Sequence, residues 1–194
     1  MLDEKKTIEL LKETGALLEG HFILSSGLRS DKYIQCAKLL MFPKISELIC
    51  KSLSEKIKLL NLACDAVVSP AIGGILAGYE VSRHLDVPSF FTERVDGTFA
   101  LRRGFDLANF KNILIVEDVI TTGKSSLECA KCIEDNGGAV SGYACIIDRS
   151  SGNSLIQDKI VSQVQFNIPT YKPENLPDHL KNITAVKPGS REVL

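Results

Sequence analysis

Four consecutive apolar residues, Ile113-Leu114-Ile115-Val116, three of them β-branched, predict a strand buried on both faces, as in a parallel sheet. Related apolar runs at Asp65–Ser69, Val87–Phe91, Val140–Ile147 and near Ile160–Phe166 predict further strands. Between them the pattern changes to a helical period. Pro43 opens a helix whose stripe is Ile45, Leu48, Ile49, Leu53, Ile57 and Leu60. Ile72, Ile75, Leu76 and Tyr79 mark another. Leu127, Ala130 and Ile133 mark a third, stopped by Asn136-Gly137-Gly138. Residues 3 to about 13 predict a short charged helix. His21–Leu24 and Lys32–Cys36 flank the polar, turn-rich Ser25–Asp31 and predict a hairpin. Such a hairpin is not stable alone and must pack on something. Residues 153–194 are polar and broken by prolines, and are expected to fold back as cover. Strand–helix alternation predicts an α/β doubly wound parallel sheet. The expected organisation is one domain over 1–194, with a core of about 41–164 and a small hood from about 1–40 and 165–194.

Composition narrows the class. With 194 residues the chain can enclose a full core, and 44% hydrophobic with 24% charged residues is ordinary for a globular protein. The formal net charge of −1 gives no basic field for nucleic acid or an anionic membrane. Met1-Leu2-Asp3-Glu4-Lys5-Lys6 leads into no signal-like apolar run, and no stretch reaches membrane-spanning length, so a cytoplasmic location is expected. Six cysteines sit mostly among apolar residues and read as reduced core thiols. Cys129 and Cys132 form a C-x-x-C, but about two turns inside a helix starting near Gly123, beyond most of the dipole effect that activates such thiols. His21, His84 and His179 are scattered without metal-ligand spacing and read as surface or packing residues.

The chemistry concentrates where the buried strand 113–116 ends. Glu117 and Asp118 follow it, then Val119-Ile120 and the short loop Thr121-Thr122-Gly123-Lys124-Ser125, which runs into a helix. A helix starting there aims free N–H groups and the positive end of its dipole at the loop, which suits a phosphate. The two carboxylates repel phosphate but suit sugar hydroxyls and hydrated Mg²⁺. One turn serving both suggests a sugar phosphate. A nucleotide P-loop needs a glycine five positions before Gly123, where Asp118 stands, and a dinucleotide G-x-G-x-x-G is absent from this stretch. A second glycine-rich turn, Pro70-Ala71-Ile72-Gly73-Gly74, lies between a strand and a helix start and permits close approach of an anion. The segment Thr92–Phe105 has little helical periodicity, two glycines and three arginines: it is either a solvated hairpin or a lid over an anion. Arg149 follows a strand's C-terminal end, where open α/β sheets bind ligands; it serves either a surface ion pair or a bidentate grip on a carboxylate.

Four apolar residues, two acids, two apolar residues and Thr-Thr-Gly-Lys-Ser together resemble the 5-phosphoribosyl-1-pyrophosphate (PRPP) motif of type I phosphoribosyltransferases. Phe22-Ile23-Leu24-Ser25-Ser26-Gly27 with Ser30 and Tyr33 resembles the hood segment of the orotate phosphoribosyltransferases in that family. The resemblance spans nearly the whole chain. It implies that Glu117 to Ser125 hold the 5′-phosphate and ribose, and that Ala71, Ile72 and Gly73 form a pyrophosphate loop. It further implies that Arg94, Arg102 and Arg103 belong to a lid acting on a neighbouring subunit of a homodimer, and that Ser25, Thr121 and Arg149 contact orotate. Ser25 stands where many members carry lysine, Gly73 where some do, and arginines replace the lysine and histidine of the family's lid. The implied reaction converts orotate and PRPP to orotidine 5′-phosphate and pyrophosphate, a step of pyrimidine synthesis, with Mg²⁺ held mainly through PRPP and water. Glu117, Asp118 and the lid arginines are the implied catalytic groups. A purine-base phosphoribosyltransferase and a non-catalytic PRPP-sensing regulator are the alternatives. The first usually carries an aromatic residue over the base, for which no compelling match is found, and the second normally a nucleic-acid-binding surface, for which the chain has no basic excess.

Overall fold

The computed structural model describes residues 1–24 and 26–188. Helix α1 (Glu4–Glu13) is capped by Asp3, whose carboxylate accepts from the Lys6 amide at 2.7 Å. The expected hairpin follows as β1 (Leu17–Ile23) and β2 (Arg29–Ile34), in antiparallel register from Leu17↔Ile34 to Ile23↔Arg29. After α2 (Ala37–Leu40) comes α3 (Pro43–Leu59), with proline in its first turn, where no intrahelical donor is needed. The central region is β3 (Ala66–Pro70), α4 (Gly73–Leu85), β4 (Ser89–Val95), β5 (Thr98–Leu101), β6 (Ile113–Ile120), α5 (Lys124–Asp135), β7 (Val140–Asp148) and β8 (Ile160–Gln165). The short β9 (Thr170–Tyr171) and α6 (Asp178–Lys181) complete the described chain.

The main sheet has the order β5-β4-β3-β6-β7-β8. All its pairings are parallel except β4 with β5. Chain order runs outward in one direction from β3 through β4 and in the other from β6 through β7, so the β3–β6 seam is the topological switch point, where open α/β sheets leave a crevice beyond the strands' carboxyl ends. Alternate residues of β6 serve opposite layers. Leu114 and Val116 join Ile49, Leu53, Ile57, Ala77 and Val81 of α3 and α4. Ile113 and Ile115 join Cys129 and Ile133 of α5. The first layer also contains Leu10, Leu11, Leu17 and Ile34, so the N-terminal elements share the main core.

The C-terminal segment folds back, as expected, but onto the hairpin. There β9 pairs with β2, and Val186 bridges to Phe22 on the other edge, exchanging backbone bonds of 2.8 Å with His21 and Ile23. Helix α4 lies where the sequence predicts it, yet its apolar stripe faces outward: Ile72, Leu76 and Tyr79 are 86%, 56% and 61% exposed. The buried face is Gly74, Ala77, Gly78, Val81 and Ser82. Small residues bring this helix against the sheet so closely that a Cβ on Gly78 would stand 1.8 Å from Ser69 Oγ. Among the described residues no helix is long and apolar enough to cross a membrane. The six cysteines are free, all buried except the partly buried Cys64.

Candidate active site

Strand β6 delivers Glu117 and Asp118 to the switch point, and Gly123, in the left-handed region at φ 77°, turns the chain into α5. A side chain at Gly123 would collide with Ser154 and Ile156, so the bend is closed from behind as well as sharply turned. Two backbone bonds fix its ends: the Leu155 amide donates to the Thr122 carbonyl and the Arg149 amide to the Ile120 carbonyl, each at 2.8 Å. Thr121, Thr122 and Lys124 stay exposed, and Ser125 is half-buried at the first turn of α5, whose leading amides have no intrahelical acceptor. Such a bend can offer hydroxyls and free amides to an anion, and it is open toward solvent.

The second turn meets the first across the seam. Ala71 and Ile72 are joined by a cis peptide bond, and Gly73 begins α4. A Cβ on Gly73 would lie 2.8 Å from Asp118 Oδ1. Glycine is therefore what permits the pyrophosphate-loop candidate and the acidic pair to stand together. Gly73 and Asp118, with their chain neighbours Ala71, Ile72 and Glu117, thus stand together at the seam.

Among the described residues no cation forms an ion pair with either acid. Burial pushes the Glu117 carboxyl up to about 7; Asp118 adds to this, while the hydrogen bond from Ser126 and the charge of Arg94 oppose it. Asp118 is raised too, chiefly by burial, against backbone hydrogen bonds that lower it. The Ser126 hydroxyl donates to Glu117 Oε1 at 2.5 Å and is wholly buried. Ser126 orients one acid and was given no role by the sequence pattern. Such an acidic pair offers hydroxyls and a hydrated divalent cation the hard oxygen acceptors they require.

Arg149 lies at the end of β7, half-buried, and among the described residues its Nε has no partner. Burial lowers its pKa, and Tyr33 of the β1–β2 hairpin opposes that shift. Asp148 shapes the turn by accepting from the Ser150 amide at 2.8 Å. Ser25 lies outside the described residues, so its expected base contact has no structural counterpart here.

The segment Thr92–Phe105 is a β-hairpin extending the main sheet, with Asp96-Gly97 at its tip. Phe105 packs edge-on to Phe90 and Phe91 at its base. All three arginines are engaged within the chain: Arg94 with Glu128, Arg102 and Arg103 with Glu93. Glu128 is a second partner that the sequence pattern did not single out.

Two other features compete less well. Ligand atoms of Glu47, Glu80 and His84 come within 4.8 Å of one another, but the Arg83 guanidinium already bridges both carboxylates. A groove of about 510 Å³ beside β8, lined by Met1, Lys56, Leu60 and Gln163, shares no residue with the bend.

Residues 39–174 match the family model described as a phosphoribosyl transferase domain. Orotate phosphoribosyltransferase of Parvibaculum lavamentivorans is 45% identical over 99% of this chain and 100% of its own length. That of Brucella ovis is 46% identical over 96% of this chain and 97% of its own. The crystal structure of orotate phosphoribosyltransferase from Aeropyrum pernix superposes with a TM-score of 0.71 at 26% identity, covering 81% of this chain and 92% of the other. With the two glycine turns and the acidic pair gathered at the sheet's switch point, and relatives of this identity over the full length, the chain belongs to the phosphoribosyltransferase family, among its orotate phosphoribosyltransferases.

Proposed function

We propose that this protein transfers the 5-phosphoribosyl group of PRPP to orotate, giving orotidine 5′-phosphate and pyrophosphate in pyrimidine synthesis. The observation that carries the reading is the junction of Gly73 with Asp118, which puts an anion-binding turn, an acidic pair and a helix N-terminus around one crevice. Amides and hydroxyls of Thr121 to Ser125 hold the 5′-phosphate. Glu117, oriented by Ser126, and Asp118 accept hydrogen bonds from the ribose diol. Their negative charge favours the oxocarbenium character that develops as the bond to pyrophosphate lengthens. The turn Ala71 to Gly73 receives the pyrophosphate through backbone groups, and the lid supplies guanidinium charge as it departs. Arg149, whose Nε has no partner among the described residues, grips the orotate carboxylate, with Thr121 and Ser25 completing the base contacts. Glu117 and Asp118 would face a hydrated Mg²⁺ held mainly through PRPP and water, and the ion would supply positive charge against the leaving pyrophosphate. Positioning and electrostatics carry the catalysis, without a covalent intermediate.

The outward stripe Ile72, Leu76 and Tyr79 supports a homodimer through α4, with the lid completing the neighbouring site. Free, buried thiols support a cytoplasmic location. The test is a panel of bases with PRPP and Mg²⁺, read by pyrophosphate release. Turnover with orotate alone is expected. Turnover with purines instead, or PRPP binding without turnover, would overturn the assignment.

A further inference from the structure

The three lid arginines are not equivalent. Arg94 closes the end of β4 opposite Phe99, and its guanidinium stacks 4.1 Å from that ring's centroid. Its Nη1 donates to the Gly97 carbonyl at 2.7 Å and its Nη2 to Glu128 Oε2 at 2.5 Å. One face and two donor groups of this arginine are therefore committed inside the chain. Glu128 lies on α5, one turn beyond the phosphate bend, and Lys124 of that bend also approaches it at 3.8 Å. Arg94 holds the Glu128 carboxyl below its ordinary value. The pair thus ties the lid hairpin to the helix whose N-terminus lies at the bend.

Arg102 and Arg103 follow β5 and share one carboxylate. Glu93 lies 3.6 Å from Arg102 and 2.6 Å from Arg103, and the two arginine side chains are 59% and 61% exposed. One carboxylate cannot neutralise two guanidinium groups, so positive charge remains where β5 ends, at the base of the hairpin. Pyrophosphate carries more negative charge than a carboxylate and accepts bidentate bonds from arginine, so it displaces Glu93 with a net gain. Arg94 would have to surrender a ring, a carbonyl and a carboxylate together.

We infer that Glu128 is a positioning residue that pins Arg94, and with it the lid, to α5, while Arg102 and Arg103 leave Glu93 to meet the departing pyrophosphate. This division of labour rests on the phosphoribosyltransferase reading. It removes Arg94 from direct contact with pyrophosphate and gives Glu128 and Glu93 roles in the cycle.

The test compares full-length E128Q, R94Q, the E128Q/R94Q double variant, E93Q and R102Q/R103Q. In ligand-free protein, E128Q and R94Q should each speed amide hydrogen exchange over 94–105 at least about threefold. In turnover, each should lower kcat by a similar factor, about tenfold, with KM for PRPP nearly unchanged, and the double variant should be no worse. R102Q/R103Q should instead raise KM for PRPP at least about tenfold, and E93Q should lower it about twofold. A loss in R94Q more than about ten times that in E128Q would show that Arg94 acts on the substrate and overturn the division. So would E128Q with unchanged lid exchange and kcat. If wild type formed no nucleotide from orotate and PRPP, the functional reading would fall, while the exchange arm would still decide whether Glu128 anchors the lid.

Discussion

Glu117 shows how binding chemistry is maintained against stability. Its ordinary pKa of 4.5 rises to about 7 in the folded protein, so folding favours the protonated form. Below about pH 4.5 the carboxyl is neutral folded and unfolded, and nothing is lost. As pH rises toward 7 the unfolded chain gives up its proton first, and the native state is progressively destabilised, by up to about 3 kcal/mol above pH 7. Glu117→Gln should therefore stabilise the protein in denaturant melts at pH 8 by up to about 3 kcal/mol, and by almost nothing at pH 4. The ionised form is the one that suits the developing cation. In wild type kcat/KM for PRPP should rise with pH through about 7, and in Glu117→Gln it should be low and flat. A stabilised variant with wild-type turnover would remove Glu117 from the mechanism. Asp118→Asn should lower turnover by about 10² or more while shifting the melting temperature by less than about 2 °C. Both acids were legible in the sequence because they sit beside each other at a strand's end. The hydroxyl of Ser126 that orients Glu117 was not, because it is nine positions away and arrives only once strand, bend and helix have folded.

Glycines divide labour along α4. A Cβ on Gly78 meets Ser69 behind the loop, whereas one on Gly73 meets Asp118 in the crevice. Gly78→Ala should thus cost about 1–3 kcal/mol of stability through overpacking and leave the chemistry of the surviving folded protein close to normal. Gly73→Ala should do the reverse, lowering turnover at least about tenfold with little change in melting, because it displaces the Asp118 carboxylate proposed to hold the ribose. Equal loss of stability in both would contradict the assignment of Gly73 to the site. The position of α4 was readable from its period, but its orientation was not. Apolar periodicity marks a stripe without saying what covers it, and here the small residues face the sheet. The strand β9 carries no pattern of its own, being only two residues long and held by pairing with its neighbour. The pattern over 92–105 fits either a solvated hairpin or a lid; the structure supplies its strands and the partners of its arginines, Glu93 and Glu128.

At the scale of the molecule, buried strands alternating with helices make a doubly wound parallel sheet legible from period alone. The strand order, which puts the loops after β3 and β6 at one crevice, is supplied by the structure. The hood's closure was legible only in outline, since the contact of Val186 with β1 depends on backbone pairing that carries no side-chain signature. The outward apolar stripe of α4 belongs to this scale too. If α4 forms the dimer seam, Leu76→Glu should convert dimer to monomer in sedimentation and abolish trans completion of the site, with the isolated fold retained. A monomeric wild type would contradict that seam. The whole account turns on what the bend at 117–125 holds, and crystals grown with PRPP and Mg²⁺ test it most directly. It predicts the 5′-phosphate on the amides and hydroxyls of Thr121 to Ser125, with the ribose diol against Glu117 and Asp118; PRPP bound elsewhere with the bend empty would contradict it.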